Sequence, residues 1–132
     1  MNSCAEDIRD MIQYYLESDS EIELFEISIG KEPDEPANMI SIFETSGFPP
    51  QLTFDRDEIY EYPSVQLRVR ANSYTTGWLQ INAIKNALHG RAGETWNDSF
   101  YSLVKCQNGP FLFDYDKNQR PRFIINFNLQ RR

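Results

Sequence analysis

The chain has 132 residues, a net charge of −7 and an isoelectric point near 4.7, which argues against a broad basic face that grips nucleic acid. Two cysteines are too few for a disulfide scaffold, and the length suits one domain that buries a core without metals or cross-links. The start lacks a signal-peptide pattern and no apolar run reaches the roughly 18 residues of a membrane span, so the expectation is a soluble intracellular protein kept reduced.

The first element is a helix over residues 3–17, where Ile8, Met11, Ile12, Tyr15 and Leu16 recur at the spacing of one apolar stripe. Ser3 and Glu6 fit a capping box, and Asp7 adds negative charge where the helix dipole favours it. Packing on a sheet is the expected use of the stripe, with docking on a partner as the alternative. Residues 18–20, Ser-Asp-Ser, break the helix. Residues 21–30 read as a strand, with Ile22 and Leu24 on one parity and Phe25, Ile27 and Ile29 on the other, implying two covered faces or a bulge. A proline-broken acidic loop follows over residues 31–36. Residues 39–45 form the next strand, and the short connection predicts that the two pair antiparallel.

Residues 47–63 carry three prolines and several rings among many charges, with no sustained period. The segment reads as a long loop excursion whose rings, Phe48, Phe54, Tyr60 and Tyr62, need cover that a neighbouring subunit would supply. The two clearest elements follow. Val65, Leu67, Val69 and Ala71 alternate with Gln66, Arg68 and Arg70, a strand with one apolar face and one basic stripe. Tyr74, Trp78, Ile81, Ile84 and Leu88 then recur at helical spacing, with Asn72 or Ser73 as cap and Gly90 as stop. Trp78, Ile81 and Leu88 are assigned to the core, so Trp78→Ala is expected to cost about 3–5 kcal/mol.

Residues 91–97 read as a connection, 100–106 as a strand, Asn108-Gly109-Pro110 as a turn, and Phe111, Phe113 and Tyr115 as one side of a further strand. After a second turn at residues 116–121, Phe123, Ile125, Phe127 and Leu129 alternate against Ile124, Asn126, Asn128 and Gln130. The predicted order is helix, two strands, excursion, strand, helix and three strands. That is an α+β fold, a small mixed β-sheet packed by two helices in a single domain over residues 1–132.

Catalytic chemistry finds little support. His89 is the one histidine, and it stands at a helix C-terminus, where capping is its expected use. Asp114 and Asp116 flank a turn without a third acid or histidine to complete a metal set. Cys4 is expected to be exposed and Cys106 to end a strand, with no basic neighbour in sequence to activate it. Neither a glycine-rich phosphate loop nor a nucleophile elbow occurs. The expectation is a non-catalytic protein without cofactor or metal.

Charge is unevenly placed. Acids dominate before Glu61, while residues 120–132 hold Arg120, Arg122, Arg131 and Arg132 and no acid. This polarity is either a solvated surface or a basis for head-to-tail contact between copies. In the second reading the candidate interface residues are Arg68 and Arg70 on the exposed strand face, with Phe54 and Tyr60 in the excursion. The arginines would meet the acidic stretch 31–36 or 55–61 of a neighbour.

The run VQLRVRANSYTTGWLQINAIKNALHG from Val65, and the later QNGPFLFDYDKNQRPRFIINFNLQRR, resemble the small phage proteins of the minor capsid or tail terminator family. In that family a strand reading Q-x-x-V/R-x-R precedes a helix ending in Leu-x-Gly, and an aromatic-rich strand follows an x-D-x-x-G/N-R turn. The first helix also stands in the expected position, so the similarity covers most of the chain. The excursion at residues 47–63 departs from the simplest members. The resemblance implies a lambda-like tail terminator fold and a structural virion protein. It further implies a homo-oligomeric ring, usually a hexamer, that caps the tail tube protein and meets the head-tail connector protein. DNA would pass through such a ring without specific binding, and no membrane is involved. The implied location is the tail or neck of the virion, and the bacterial host cytoplasm during assembly. A head-side neck connector or a small protein-binding adaptor is the alternative.

Overall fold

Apolar periodicity along the chain is realised as a curled mixed sheet with its helices on one side. The computed structural model describes residues 2–19, 21–50 and 60–132. Among these the order is α1 (Cys4–Leu16), β1 (Glu26–Ile29), β2 (Met39–Phe48), β3 (Tyr62–Arg70), α2 (Tyr74–Leu88), β4 (Glu94–Trp96), β5 (Ser99–Tyr115) and β6 (Pro121–Arg131). The strands form one six-stranded sheet in the order β1-β2-β3-β6-β5-β4.

α1 starts as its sequence predicts. The Glu6 N–H donates to Ser3 Oγ at 3.2 Å and the Ser3 N–H to Glu6 Oε1 at 3.3 Å, a reciprocal capping box that contributes about 1 kcal/mol. Its inner face, Ala5, Ile8, Met11, Ile12 and Leu16, is buried against one side of the sheet. The register lines up Ile40 with Val69 and Phe123, and Ile42 with Leu67 and Ile125, so one parity of each central strand forms a continuous apolar floor. Cys4 is buried in this core, contrary to the exposed position expected, and burial pushes its thiol up to about 11.

α2 is rotated from the expected stripe. Gly77, Gln80, Ile81, Ile84, Ala87 and Leu88 face the sheet, while Trp78 stays 38% exposed and stacks on Tyr74. Close approach to β6 is the cause: a Cβ added at Gly77 would lie 2.6 Å from the Phe123 ring, so only glycine fits beneath the first turns. Trp78 therefore rims the core instead of filling it. Gln80 is buried because its amide serves the chain before β1, accepting from the Phe25 N–H at 2.9 Å and donating to the Glu23 carbonyl at 3.3 Å. Those bonds take the place of a strand ladder, which is why β1 is shorter than the periodicity suggested.

Three further strand expectations change. β1 and β2 pair parallel, not antiparallel, because residues 30–38 run back across the sheet and start β2 beside the start of β1. The turn expected at Asn108-Gly109-Pro110 is absorbed into one 17-residue strand, β5, by register shifts around those residues. Residues 94–96, read as connection, form the short edge strand β4. Cys106 accordingly lies within β5 instead of ending a strand.

Two substitutions test the seating of α2 by urea unfolding. Gly77→Ala destabilises by about 1–3 kcal/mol through overpacking, despite alanine's better helix propensity. Trp78→Ala costs clearly less than Ile81→Ala, for which about 2–5 kcal/mol is expected.

Candidate assembly surface

The sheet face opposite the helices is the surface left for function. Its rows read Ser41–Arg68–Ile124–Phe111 and Phe43–Gln66–Asn126–Asn108, with Ser64, Asn128 and Lys105 beyond. Side chains in the second row bond in sequence. Arg68 Nε donates to Gln66 Oε1 at 3.0 Å, Gln66 Nε2 to Asn126 Oδ1 at 3.2 Å, and Asn126 Nδ2 to Asn108 Oδ1 at 3.3 Å. Ser64 Oγ donates to Asn128 Oδ1 at 2.8 Å. This half-buried amide ladder leaves a neutral, hydrogen-bonding surface. Arg68 lies over the rings of Phe43 and Phe113, 5.1 and 5.7 Å from their centroids.

Arg70 stands on the same parity but is not exposed. At 2% exposure its guanidinium donates to the carbonyls of Pro33, Pro36 and Ala37 and faces Glu32 at 3.8 Å. The acidic stretch expected to meet a neighbour's arginines is therefore held by arginines of its own chain. Glu32 Oε2 accepts from Arg122 Nη1 at 3.0 Å and lies 3.8 Å from Arg68, while Asp34 pairs with Lys117 and Arg120. Arg122 also makes a paired contact with Asp114. Arg122 is raised further above its usual range, chiefly by that hydrogen bond.

A second knot uses the C-terminal arginines. Asp7, fully buried, accepts from the Tyr101 hydroxyl and from Asn97 Nδ2 at 2.7 Å, with Arg131 Nη1 at 3.7 Å. Arg131 Nε donates to Glu61 Oε2 at 2.9 Å. Burial and the Asp7 bond both push the Tyr101 phenol up. Asp7 read in sequence as a helix-dipole acid; its partners Asn97 and Tyr101 come from 90 and 94 residues away, beyond any local signal. Tyr60 is half-buried with Arg132 over its ring at 5.7 Å, and Phe54 lies outside the described residues.

The sequence model of the family described as bacteriophage tail terminator protein matches residues 2–132. The chain belongs to that family. It is a structural, virion-associated protein of phage tail completion. A chain in the solved structure "Virion of native gene transfer agent (GTA) particle" shares its fold, with a TM-score of 0.67 at 11% identity, covering 98% of this chain and 94% of that one. No curated protein matches the sequence.

For a tail terminator family member, the remaining reactive groups have structural uses. His89 is the C-cap of α2, and its Nδ1 accepts the Cys106 N–H at 3.0 Å. Burial raises the Cys106 thiol, which points to the Asn108 carbonyl. Among the described residues no group of three or more His, Cys, Asp or Glu side chains is placed to hold a metal ion.

The arginine clamp gives two expected outcomes. Arg70→Met costs about 3–5 kcal/mol, because carbonyls and Glu32 lose a buried partner, and it speeds proteolysis within residues 31–37; Arg68→Met costs under about 1 kcal/mol. The second concerns pH. Asp114 is held below the usual carboxylate range by the Arg122 hydrogen bond. For Asp116 burial acts upward but is outweighed by hydrogen bonds from Arg120 and Asn118. A depressed folded value stabilises above the unfolded value and loses that contribution as pH falls through the folded one. The urea midpoint therefore drops between about pH 5 and about pH 2, and drops less in Asp116→Asn.

Proposed function

We propose that this protein closes the phage tail as a homo-oligomeric ring, a hexamer, seated on the last ring of the tail tube protein and presented to the head-tail connector. The observation that carries the reading is the run Phe111, Leu112, Phe113 and Tyr115, all exposed in the far half of β5 of a chain of the terminator family. A contiguous apolar stretch of this kind calls for a protein partner. Net charge supports the lumen of such a ring. Each copy carries −7, so the assembled ring repels DNA phosphate and lets it pass without specific binding. The chain works without catalysis and assembles in the host cytoplasm before joining the virion.

Arg68, half exposed on the open face, and Tyr60, beside the start of β3, are the proposed contact residues. Arg70 is removed from that set by its burial. Solution mass by light scattering, with and without purified tail tubes, tests the reading, with negative-stain imaging of large species. A closed ring or a cap at one tube end is expected; a monomer or dimer that ignores tubes would replace the terminator role with that of an adaptor. Arg68→Glu is expected to retain the wild-type circular dichroism spectrum and lose assembly. Normal assembly by that variant would exclude Arg68 from the interface.

A further inference from the structure

The two edges of the sheet differ in charge and in what covers them. On the β5 side, β4 pairs only with Ser99–Tyr101, and the segment at Gly90, Arg91 and His89 covers the strand as far as Cys106. From residue 107 to Tyr115 no described strand lies on the outer edge. Apolar groups flank this bare stretch on both faces. On the open face are Phe111 and Phe113. On the helix face Leu112 pairs with Phe123, whose ring meets Tyr74 at 5.2 Å and Trp78 at 6.0 Å. Three of the chain's four lysines lie along the strand: Lys85 on α2 beside Cys106, Lys105 within β5 just before the bare stretch, and Lys117 just past its end, where it pairs with Asp34.

At the opposite edge stands β1, again with no described strand outside it. Its chain reads EIELFEISI, with Glu21, Glu23 and Glu26 exposed. Ile27 and Ile29 share the parity of Ile40 and Ile42, and Glu26 shares that of Met39 and Arg70 on the open face. Lys105 lies on that same open face through Asn128 and Ser64.

We propose that neighbouring copies join edge to edge, the acidic β1 of one copy adding to the basic outer edge of β5 in the next, so that the sheet continues around the ring. The proposal rests on the ring reading above and names its interface. A free strand edge flanked by apolar side chains is a template for strand addition, and here the second copy brings an edge of opposite charge. Strand directions agree. β1, β2 and β6 run one way and β3 and β5 the other, so a head-to-tail joint sets β5 antiparallel to the neighbour's β1. The two patches differ, which makes the contact heterologous, the type that closes rings.

Charge reversal tests it on the full chain. One variant carries Lys85→Glu with Lys105→Glu, the other Glu23→Lys with Glu26→Lys; circular dichroism and urea midpoints confirm that each folds. On tail tubes, or alone if the wild type assembles alone, each variant by itself is expected to lose ring formation by about tenfold or more. An equimolar mixture restores it, because alternating copies pair opposite charges at every joint. Rings at the wild-type level in either variant, or a mixture no better than its parts, would overturn the edge joint while leaving the ring reading intact. Absence of rings and caps in the wild type would overturn the ring reading and the joint with it.

Discussion

Both helices lie on one face of the sheet, and the rest of the structure follows from that asymmetry. Ile40, Ile42, Val65, Leu67, Val69, Phe123, Ile125 and Phe127 form a floor that α1 and α2 cover completely. Close seating requires a glycine at 77 under α2 and displaces Trp78 to the rim. Among the described residues the opposite face receives no helix. Its stability comes from hydrogen bonds and charge pairs that satisfy one another in place of hydrophobic burial.

The arginines of that face show how polar residues can organise a surface without opening it to partners. Arg70 binds three carbonyls of residues 33–37, and Glu32 gathers Arg68, Arg70 and Arg122. Removing Arg70 would leave Glu32 and three carbonyls without their buried partner, whereas Arg68, at the solvent edge of the cluster, is the dispensable member. Arg131, Asp7 and Tyr101 form a second cluster between α1 and the end of β6. Charges that look available for intersubunit pairing in a linear reading are thus largely consumed within the chain. Exposed apolar groups gather at the far half of β5 and the rim of α2, and charge unpaired among the described residues stays at the sheet edges, on Glu23, Glu26 and Lys105.

This division bears on how a small virion protein can be both a folded monomer and an assembly part. The internal clamps stabilise the single copy, while the proposed joint uses the edge of β5 beyond residue 106, which has no described strand outside it. In the proposed ring, the net charge of −7 on each copy repels DNA phosphate.

Local chemistry was legible in the sequence wherever one element decides the outcome. The Ser3–Glu6 capping box, the stripe of α1, the alternation of Val65, Leu67 and Val69 and that of Phe123, Ile125 and Phe127 all depend on spacing within a few residues. The α+β class and the family resemblance follow from the same patterns. Relations between distant segments were not legible. The parallel pairing of β1 with β2 depends on a connection held down by Arg70, and the burial of Asp7 depends on Tyr101 and Asn97. The unbroken course of β5 through Gly109-Pro110 depends on β6 supplying a ladder that bulges can follow. Periodicity specifies which side of an element is apolar; only the packed chain decides which neighbour covers it and which charges find each other.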